Sequence, residues 1–172
     1  MTTGAVGRPL WGPFVVLVGL VVVADQATKA WISSALAGGG VIHVLGDLVR
    51  LIFTRNDGAL FGLFRGQAVL FSLLSLVVIG LILTYHARSG RNPYLTLTLG
   101  LLLGGAIGNA VDRFRLGYVI DFVDGGVGSV RFYTFNLADA CISSAVLLLL
   151  VMAIWPSLAD GRHNQGSGAD DA

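Results

Sequence analysis

Four apolar runs constrain this chain more than any other feature. They extend from about Trp11 to Trp31, Gln67 to Tyr85, Tyr94 to Val111 and Leu137 to Trp155, each close to the roughly 20 residues that carry a helix across a bilayer core. All three tryptophans, Trp11, Trp31 and Trp155, fall at run ends, where amphipathic rings anchor helices at the membrane–water boundary. Pro156 stops the last run. Only 12% of the residues are charged, about half the share of an ordinary soluble domain, and the mean hydropathy is +0.79. The expected fold class is a membrane all-α bundle of four transmembrane helices with a small β-rich cap on one face.

The cap is read from two connections. Val41 to Leu45 and Leu48 to Arg55 flank Gly46-Asp47, two β-rich runs around a tight turn. Asn56-Asp57-Gly58 makes a further turn, and Ala59-Leu60-Phe61-Gly62-Leu63-Phe64 is apolar enough to lie on a membrane surface. In the other connection, Tyr118 to Val123 and Val127 to Phe135 flank Asp124-Gly125-Gly126, which reads as the turn. The second and third runs are joined by a short polar turn, His86 to Pro93. Residues 1–172 read as a single domain, with 157–172 a Gly-, Ser- and Asp-rich tail expected to be disordered. Gly100, Gly104 and Gly108 recur every four residues, a small-residue stripe that lets a neighbouring helix approach closely. The first run has a rival reading as a signal peptide, with Arg8 ahead of an apolar stretch from Pro13 to Ala24. Asp25 and Lys29 follow directly and share one helix face in the favourable acid-before-base order, which favours a retained helix.

An even number of spans returns the chain to its starting side, so the first and third connections share the opposite side. That gathers the polar islands. Asp25 and Lys29 lie at the exit of the first run, and Asn56 in the first connection. Asn109, Asp112 and Arg113 lie at the exit of the third run. Asp121 lies in the second cap segment and Asp139 at the entry of the fourth run. All ten acids are aspartates, and carboxylates at a membrane edge are functional candidates by default. Interfacial polar residues also anchor helix ends; that bland reading suits Lys29 and Arg113, and suits Asp139 inside Ala138-Asp139-Ala140 less well. The net charge of +1 and the lack of a basic stripe give no reason to expect nucleic acid. The histidines, His43, His86 and His163, have no metal-ligand spacing. Cys141, the single cysteine, reads as a small buried residue. Basic residues are more numerous on the island side, but several are candidate site members, so charge bias does not orient the chain.

Five segments together resemble the lipoprotein signal peptidases (type II signal peptidases), across nearly the whole chain. They are Asp25-Gln26-Ala27-Thr28-Lys29, Asn56-Asp57-Gly58-Ala59-Leu60-Phe61, Gly105 to Arg113 as Gly-x-x-Gly-Asn-x-x-Asp-Arg, Val119-Ile120-Asp121-Phe122, and Phe135-Asn136-Leu137-Ala138-Asp139. One departure is Leu60, where the family usually has a small residue. The resemblance implies an intramembrane aspartic endopeptidase that removes the signal peptide from diacylglyceryl-modified prolipoproteins, just before the lipidated Cys. It implies Asp121 and Asp139 as the catalytic pair, with no cofactor and no metal. Asn56, Asn109 and Asn136 could bond the substrate backbone or hold the pair, with Gly58 and Ala138 beside them. Asp112 with Arg113, and Asp25 with Lys29, could pair and fix the cap and the first helix. Asp112 is the rival for a catalytic role on spacing alone. The resemblance further implies a lipidated prolipoprotein and membrane lipid as partners, a place in the bacterial cell membrane, both termini cytoplasmic and the site extracytoplasmic; nothing in the sequence demands a partner subunit, so a monomer is expected. Two other classes fit parts of the pattern: a proton-coupled transporter, against which the acids cluster at one face, and a Mg²⁺-dependent lipid-headgroup transferase, against which no close Asp pair lies on one helix.

Overall fold

Backbone N–H and C=O groups find no partners in hydrocarbon, so spanning segments close their hydrogen bonds internally as helices. The computed structural model describes residues 7–58 and 68–156. Among them, four helices are long and apolar enough to span: α1 (Trp11–Leu36), α2 (Ala68–Arg88), α3 (Pro93–Leu116) and α4 (Leu137–Ile154). Their outward faces expose Leu20, Val23, Leu81 and Leu147, as a lipid-facing surface requires. α3 is the most buried and packs on the other three. Its ends are well made. Asn92 caps the N-terminus by accepting from the Leu95 N–H at 2.9 Å, Pro93 occupies the first turn, and Gly117 ends the helix at φ +79°, the left-handed conformation that glycine adopts without strain.

The glycine stripe does what its spacing predicts. A Cβ on Gly100 would lie 2.7 Å from Leu17, one on Gly104 2.6 Å from Val21, and one on Gly108 2.6 Å from Asp25 Oδ2. Successive turns of α3 therefore seat successive turns of α1. Gly105, on the adjoining face, brings α4 just as close: its Cβ would stand 2.5 Å from the Ala138 carbonyl oxygen. These approaches bring α1 and α4 against α3 at the level of the polar residues.

Four antiparallel strands form the cap in the order β1-β2-β3-β4, with β1 (Ile42–Leu45), β2 (Val49–Asn56), β3 (Val119–Val127) and β4 (Val130–Arg131). The first and third connections thus meet in one sheet at one end of the bundle. Ile32 and Leu36 of α1 bury against Ile120 and Phe122 and hold that sheet down. The segment after β4 returns to the sheet: Val123 N–H donates to the Phe135 carbonyl at 2.8 Å and Phe135 N–H to the Val123 carbonyl at 3.2 Å. That bridge sets the start of α4 beside the middle of β3.

Three sequence expectations are corrected. Asp124-Gly125-Gly126 is not a turn. β3 runs through it, because Asp124 is neutralised from both sides by Arg50 at 2.6 Å and Arg131 at 2.9 Å, while Gly126 has no side chain to obstruct β4. The reversal falls at Gly128, φ +56°. The polar turn between α2 and α3 is shorter than expected, since α2 carries on through His86 to Arg88. α1 and α3 also outlast their apolar runs, so Asp25, Lys29, Asn109 and Asp112 lie inside helices, while Arg113 is in the last turn of α3 as its place at the exit predicts. The apolar stretch Ala59 to Phe64, with Leu60, and the tail 157–172 lie outside the described residues.

Candidate active site

Asp121 sits in β3 and Asp139 in the first turn of α4, and a single side chain touches both. Asn136 is the N-cap of α4. Its Oδ1 accepts the Asp139 N–H at 2.9 Å, and the Asp139 carboxylate accepts the Asn136 N–H at 3.2 Å, a reciprocal capping arrangement. With Oδ1 committed to a backbone donor, the Asn136 amide must present its NH₂ group inward. Nδ2 donates to Asp121 Oδ1 at 2.7 Å and to Asn109 Oδ1 at 3.1 Å. Asn109, from α3, in turn donates to Asp139 Oδ1 at 2.8 Å.

A buried ion cluster stands behind Asn109. Lys29 lies 2.8 Å from Asp25 and 3.0 Å from Asp112, and donates to Asn109 Oδ1 at 3.1 Å. All three charged groups are at most 2% exposed, so this is no surface ion pair. The lysine spends its three donors here, which offsets the cost of burying it. Asp25 Oδ1 also accepts the Ala138 N–H at 3.0 Å, and Asp112 accepts the Ile120 N–H at 3.1 Å. The cluster therefore ties α1 to α3, to the start of α4 and to β3. The expected Asp112–Arg113 pair does not form. Asp112 faces inward to Lys29, whereas Arg113, on the next helical position, stands over the Phe71 ring at 5.7 Å and lines a cavity.

That cavity, about 670 Å³, opens between α2, α3, α4 and the cap. Apolar walls from Phe71, Leu74, Val78 and Ile142 meet a polar end made by Asn56, Asn109, Arg113, Tyr133 and Asp139. Asp121 is 1% exposed and does not line the cavity itself; Asn56, which does, donates to its Oδ2 at 2.8 Å. Thr54 pairs with Asp121 and Asn56 with Val119 across β2 and β3, which makes Asn56 and Asp121 diagonal neighbours on one sheet face. The buried Gly58 donates its N–H to Asn56 Oδ1 at 3.2 Å. Burial pushes the Asp121 carboxyl up to about 6, helped by the Asp139 charge and opposed by the Asn56 and Asn136 hydrogen bonds and by Lys29. So the structure brings every sequence-predicted residue into one connected region, with Arg113 on the cavity side and Asp25, Lys29 and Asp112 on the packed side.

Two residues escaped the sequence reading. Gln26 donates to Asp112 at 2.9 Å and to the Gly108 carbonyl at 3.2 Å; its place between Asp25 and Lys29 was the available signal. Tyr133 accepts a hydrogen bond from Asn56, and burial, then the charges of Asp121 and Asp139, push its phenol up. Nothing distinguished it from its aromatic neighbours Phe132 and Phe135. Among the described residues, no three His, Cys, Asp or Glu side chains converge as a metal site, and the place between Asp25 and Asp112 holds the Lys29 ammonium.

Fold and site define a multi-pass membrane protein with Asp139 at the polar end of an apolar cavity and Asp121 buried behind Asn56. A model of the family described as signal peptidase II matches residues 17–155. A lipoprotein signal peptidase of Parasynechococcus marenigrum (strain WH8102) is 40% identical over 162 residues, covering 94% of this chain and 99% of the relative. One of Syntrophomonas wolfei is 37% identical over 155 residues, covering 90% and 96%. A bacterial membrane enzyme solved by the in meso method at 2.3 Å superposes with a TM-score of 0.79 at 24% identity, over 95% of this chain and 100% of that one. Another, solved at 1.9 Å, gives 0.78 at 25% identity over 88% and 98%. The chain belongs to the signal peptidase II family. It is a multi-pass bacterial membrane protein and an aspartic-type protease.

Proposed function

We propose that this enzyme removes signal peptides from diacylglyceryl-modified prolipoproteins, cutting just before the lipidated Cys, with Asp121 and Asp139 as the catalytic pair. The observation that carries the assignment is Asn136, whose amide is bonded to Asp121 and whose cap geometry engages Asp139. Two carboxylates so linked, in a buried site, cannot both ionise easily and hold one proton between them. The ionised member takes a proton from a water molecule as its oxygen attacks the scissile carbonyl carbon. The neutral member gives its proton to the carbonyl oxygen. In the collapse of the tetrahedral intermediate one diol hydroxyl returns its proton to the pair, the C–N bond breaks, and the departing amine of the lipidated Cys takes up a proton from the pair, which is left with its single shared proton. The chemistry draws on water and the two side chains alone, and the proton belongs to the pair as a unit.

The apolar cavity suits a greasy signal segment and its lipid, with Arg113, Asn56 and Asn109 as polar contacts for the substrate backbone. Lys29, Asp25 and Asp112 support the pair from the packed side; Asp112 has each oxygen engaged, which speaks against its acting on water. Gly58 and Ala138 contribute backbone N–H groups to the side chains that hold the site. The chain works as a single domain and as a monomer in membrane lipid. Its termini are cytoplasmic and the cap end is extracytoplasmic, for which a reporter fused after Ala172 should read cytoplasmic.

Cleavage of a lipidated prolipoprotein by Asp121→Asn, Asp139→Asn and Asp112→Asn variants tests the assignment. The first two should be folded and inactive. Full activity in either would remove the pair, and a folded but inactive Asp112→Asn with an active Asp121→Asn would transfer the role to Asp112.

A further inference from the structure

Asn56 is the side chain through which the cavity meets Asp121, and its amide is held from three directions. The Gly58 N–H donates to Oδ1 at 3.2 Å. A backbone N–H can only donate, so the NH₂ end of the amide must face the other way. There it meets two acceptors, Asp121 Oδ2 at 2.8 Å and the Tyr133 hydroxyl oxygen. Asn56 is also the last residue of β2, so no following strand residue restrains it. Without the phenol oxygen, one amide proton would lose its acceptor at the polar end of the cavity, leaving Asp121 alone to hold the NH₂ group. Held by one acceptor in place of two, the NH₂ group has more freedom about the Cβ–Cγ bond, and its bond to Asp121 is less firmly aimed.

Tyr133 is itself well placed. It lies between Phe132, which packs edge-on against Phe135 at 6.4 Å, and Phe135, which is bridged to Val123 of β3. Its ring lines the cavity together with Asn56 and Asp139. A phenylalanine would fill the same volume, so the hydroxyl is the part of this residue that packing does not explain. The geometry points to Tyr133 as a positioning residue for Asp121, acting through Asn56. This rests on Asp121 being catalytic. Other charged or titratable groups bear on Asp121 from each side: Asp139 on α4, Lys29 on α1 and Arg113 on α3, besides Tyr133 itself. The Asn56 hydrogen bond draws the Asp121 carboxyl down, so loosening Asn56 lets it rise.

The test is a double-mutant cycle on the full-length enzyme cleaving a lipidated prolipoprotein. Tyr133→Phe should lower kcat by about tenfold, the scale of one hydrogen bond, with KM within about twofold. The pH limb set by loss of the pair's shared proton should move to higher pH. In an Asn56→Ala background, adding Tyr133→Phe should change neither kcat nor the limb further. The inference is overturned by an equal effect in both backgrounds, by a change in KM alone, or by an unmoved limb. Thermal unfolding in detergent checks that the variant is folded; if Tyr133→Phe is not, Tyr133→Met takes its place in the cycle. Asp121→Asn is run alongside. Should it retain activity, the catalytic pair itself fails; should it be dead while Tyr133→Phe is unchanged, only the role of Tyr133 falls.

Discussion

Lys29 donates to Asn109 Oδ1 at 3.1 Å, and this decides which end of the Asn109 amide faces Asp139. An ammonium offers donors only, so the carbonyl oxygen must turn toward it and the NH₂ group toward the carboxylate. Lys29→Met would leave Asp25 and Asp112 buried with no cation between them. The expected loss is about 3–5 kcal/mol, the cost of stranding buried charge. Thermal unfolding in detergent measures it, and a drop of only a degree or two would show that the lysine contributes little.

Asn136 has two jobs that substitution can separate. A serine keeps the helix cap but has no amide to reach Asp121 or Asn109. Asn136→Ser should therefore lose less than about 1 kcal/mol of capping, whereas Asn136→Ala should lose about that much or more. Activity should fall by about 100-fold or more in both, because neither holds Asp121 against Asp139. Comparing unfolding temperatures with cleavage rates checks this; an active Asn136→Ser would mean that the cap alone suffices.

The close approach at Gly105 gives a contrast pair. Gly105→Ala would put Cβ 2.5 Å from the Ala138 carbonyl oxygen and 2.8 Å from Ile142, forcing α4 away from α3 and carrying Asp139 with it. A cost of about 1–3 kcal/mol is expected, as for other overpacked positions, with reduced cleavage. Gly80→Ala in α2 meets nothing within 4 Å and should be neutral or stabilising by up to about 1 kcal/mol. Unfolding of the two variants side by side tests whether contact or helix propensity governs.

Hydrophobic run length was enough to place four helices, and the four-residue spacing of Gly100, Gly104 and Gly108 was enough to mark a close helix contact on α3, though not to show that α1 makes it. Where helices end was less legible. Charges such as Asp25, Lys29 and Asp112 look like exits from a membrane, but they neutralise one another across two helices, and that pairing is 83 residues apart in sequence at its widest, between Lys29 and Asp112. The same non-local effect hid the course of β3: Asp124 beside two glycines has the composition of a turn until Arg50 reaches it from another strand. The motif residues of the site were readable, but the direction of each amide was not. Those directions follow from fixed donors such as Lys29, Gly58 and the Asp139 backbone. Tyr133 was invisible because its bond with Asn56 is a contact in space that its sequence neighbours do not announce.

With Asp121 in the proposed catalytic pair, both cleavage and stability should depend on pH. Its carboxyl is raised to about 6 by burial, with the Asp139 charge adding to the effect. A raised acid stabilises the fold fully below its unfolded value near 4, and that contribution is lost as pH rises through about 6. Over that window the enzyme should lose up to about 3 kcal/mol, two units at roughly 1.4 kcal/mol each. Asp121→Asn cannot titrate, so its advantage over the unsubstituted enzyme should grow from pH 4 to pH 7. It will start from a deficit, because one of the donors on Asn56 and Asn136 then faces another NH₂ group. In catalysis, the raised Asp121 carboxyl means that the pair keeps its shared proton to higher pH than an ordinary carboxylate, so kcat/KM should descend on the alkaline side. A substrate that fills the cavity buries the pair further, so the matching limb of kcat should lie at higher pH. Unfolding curves and cleavage rates between pH 4 and 8 supply both readouts. A stability difference between Asp121→Asn and the unsubstituted enzyme that stays flat across that range would show that Asp121 ionises as an ordinary exposed carboxylate.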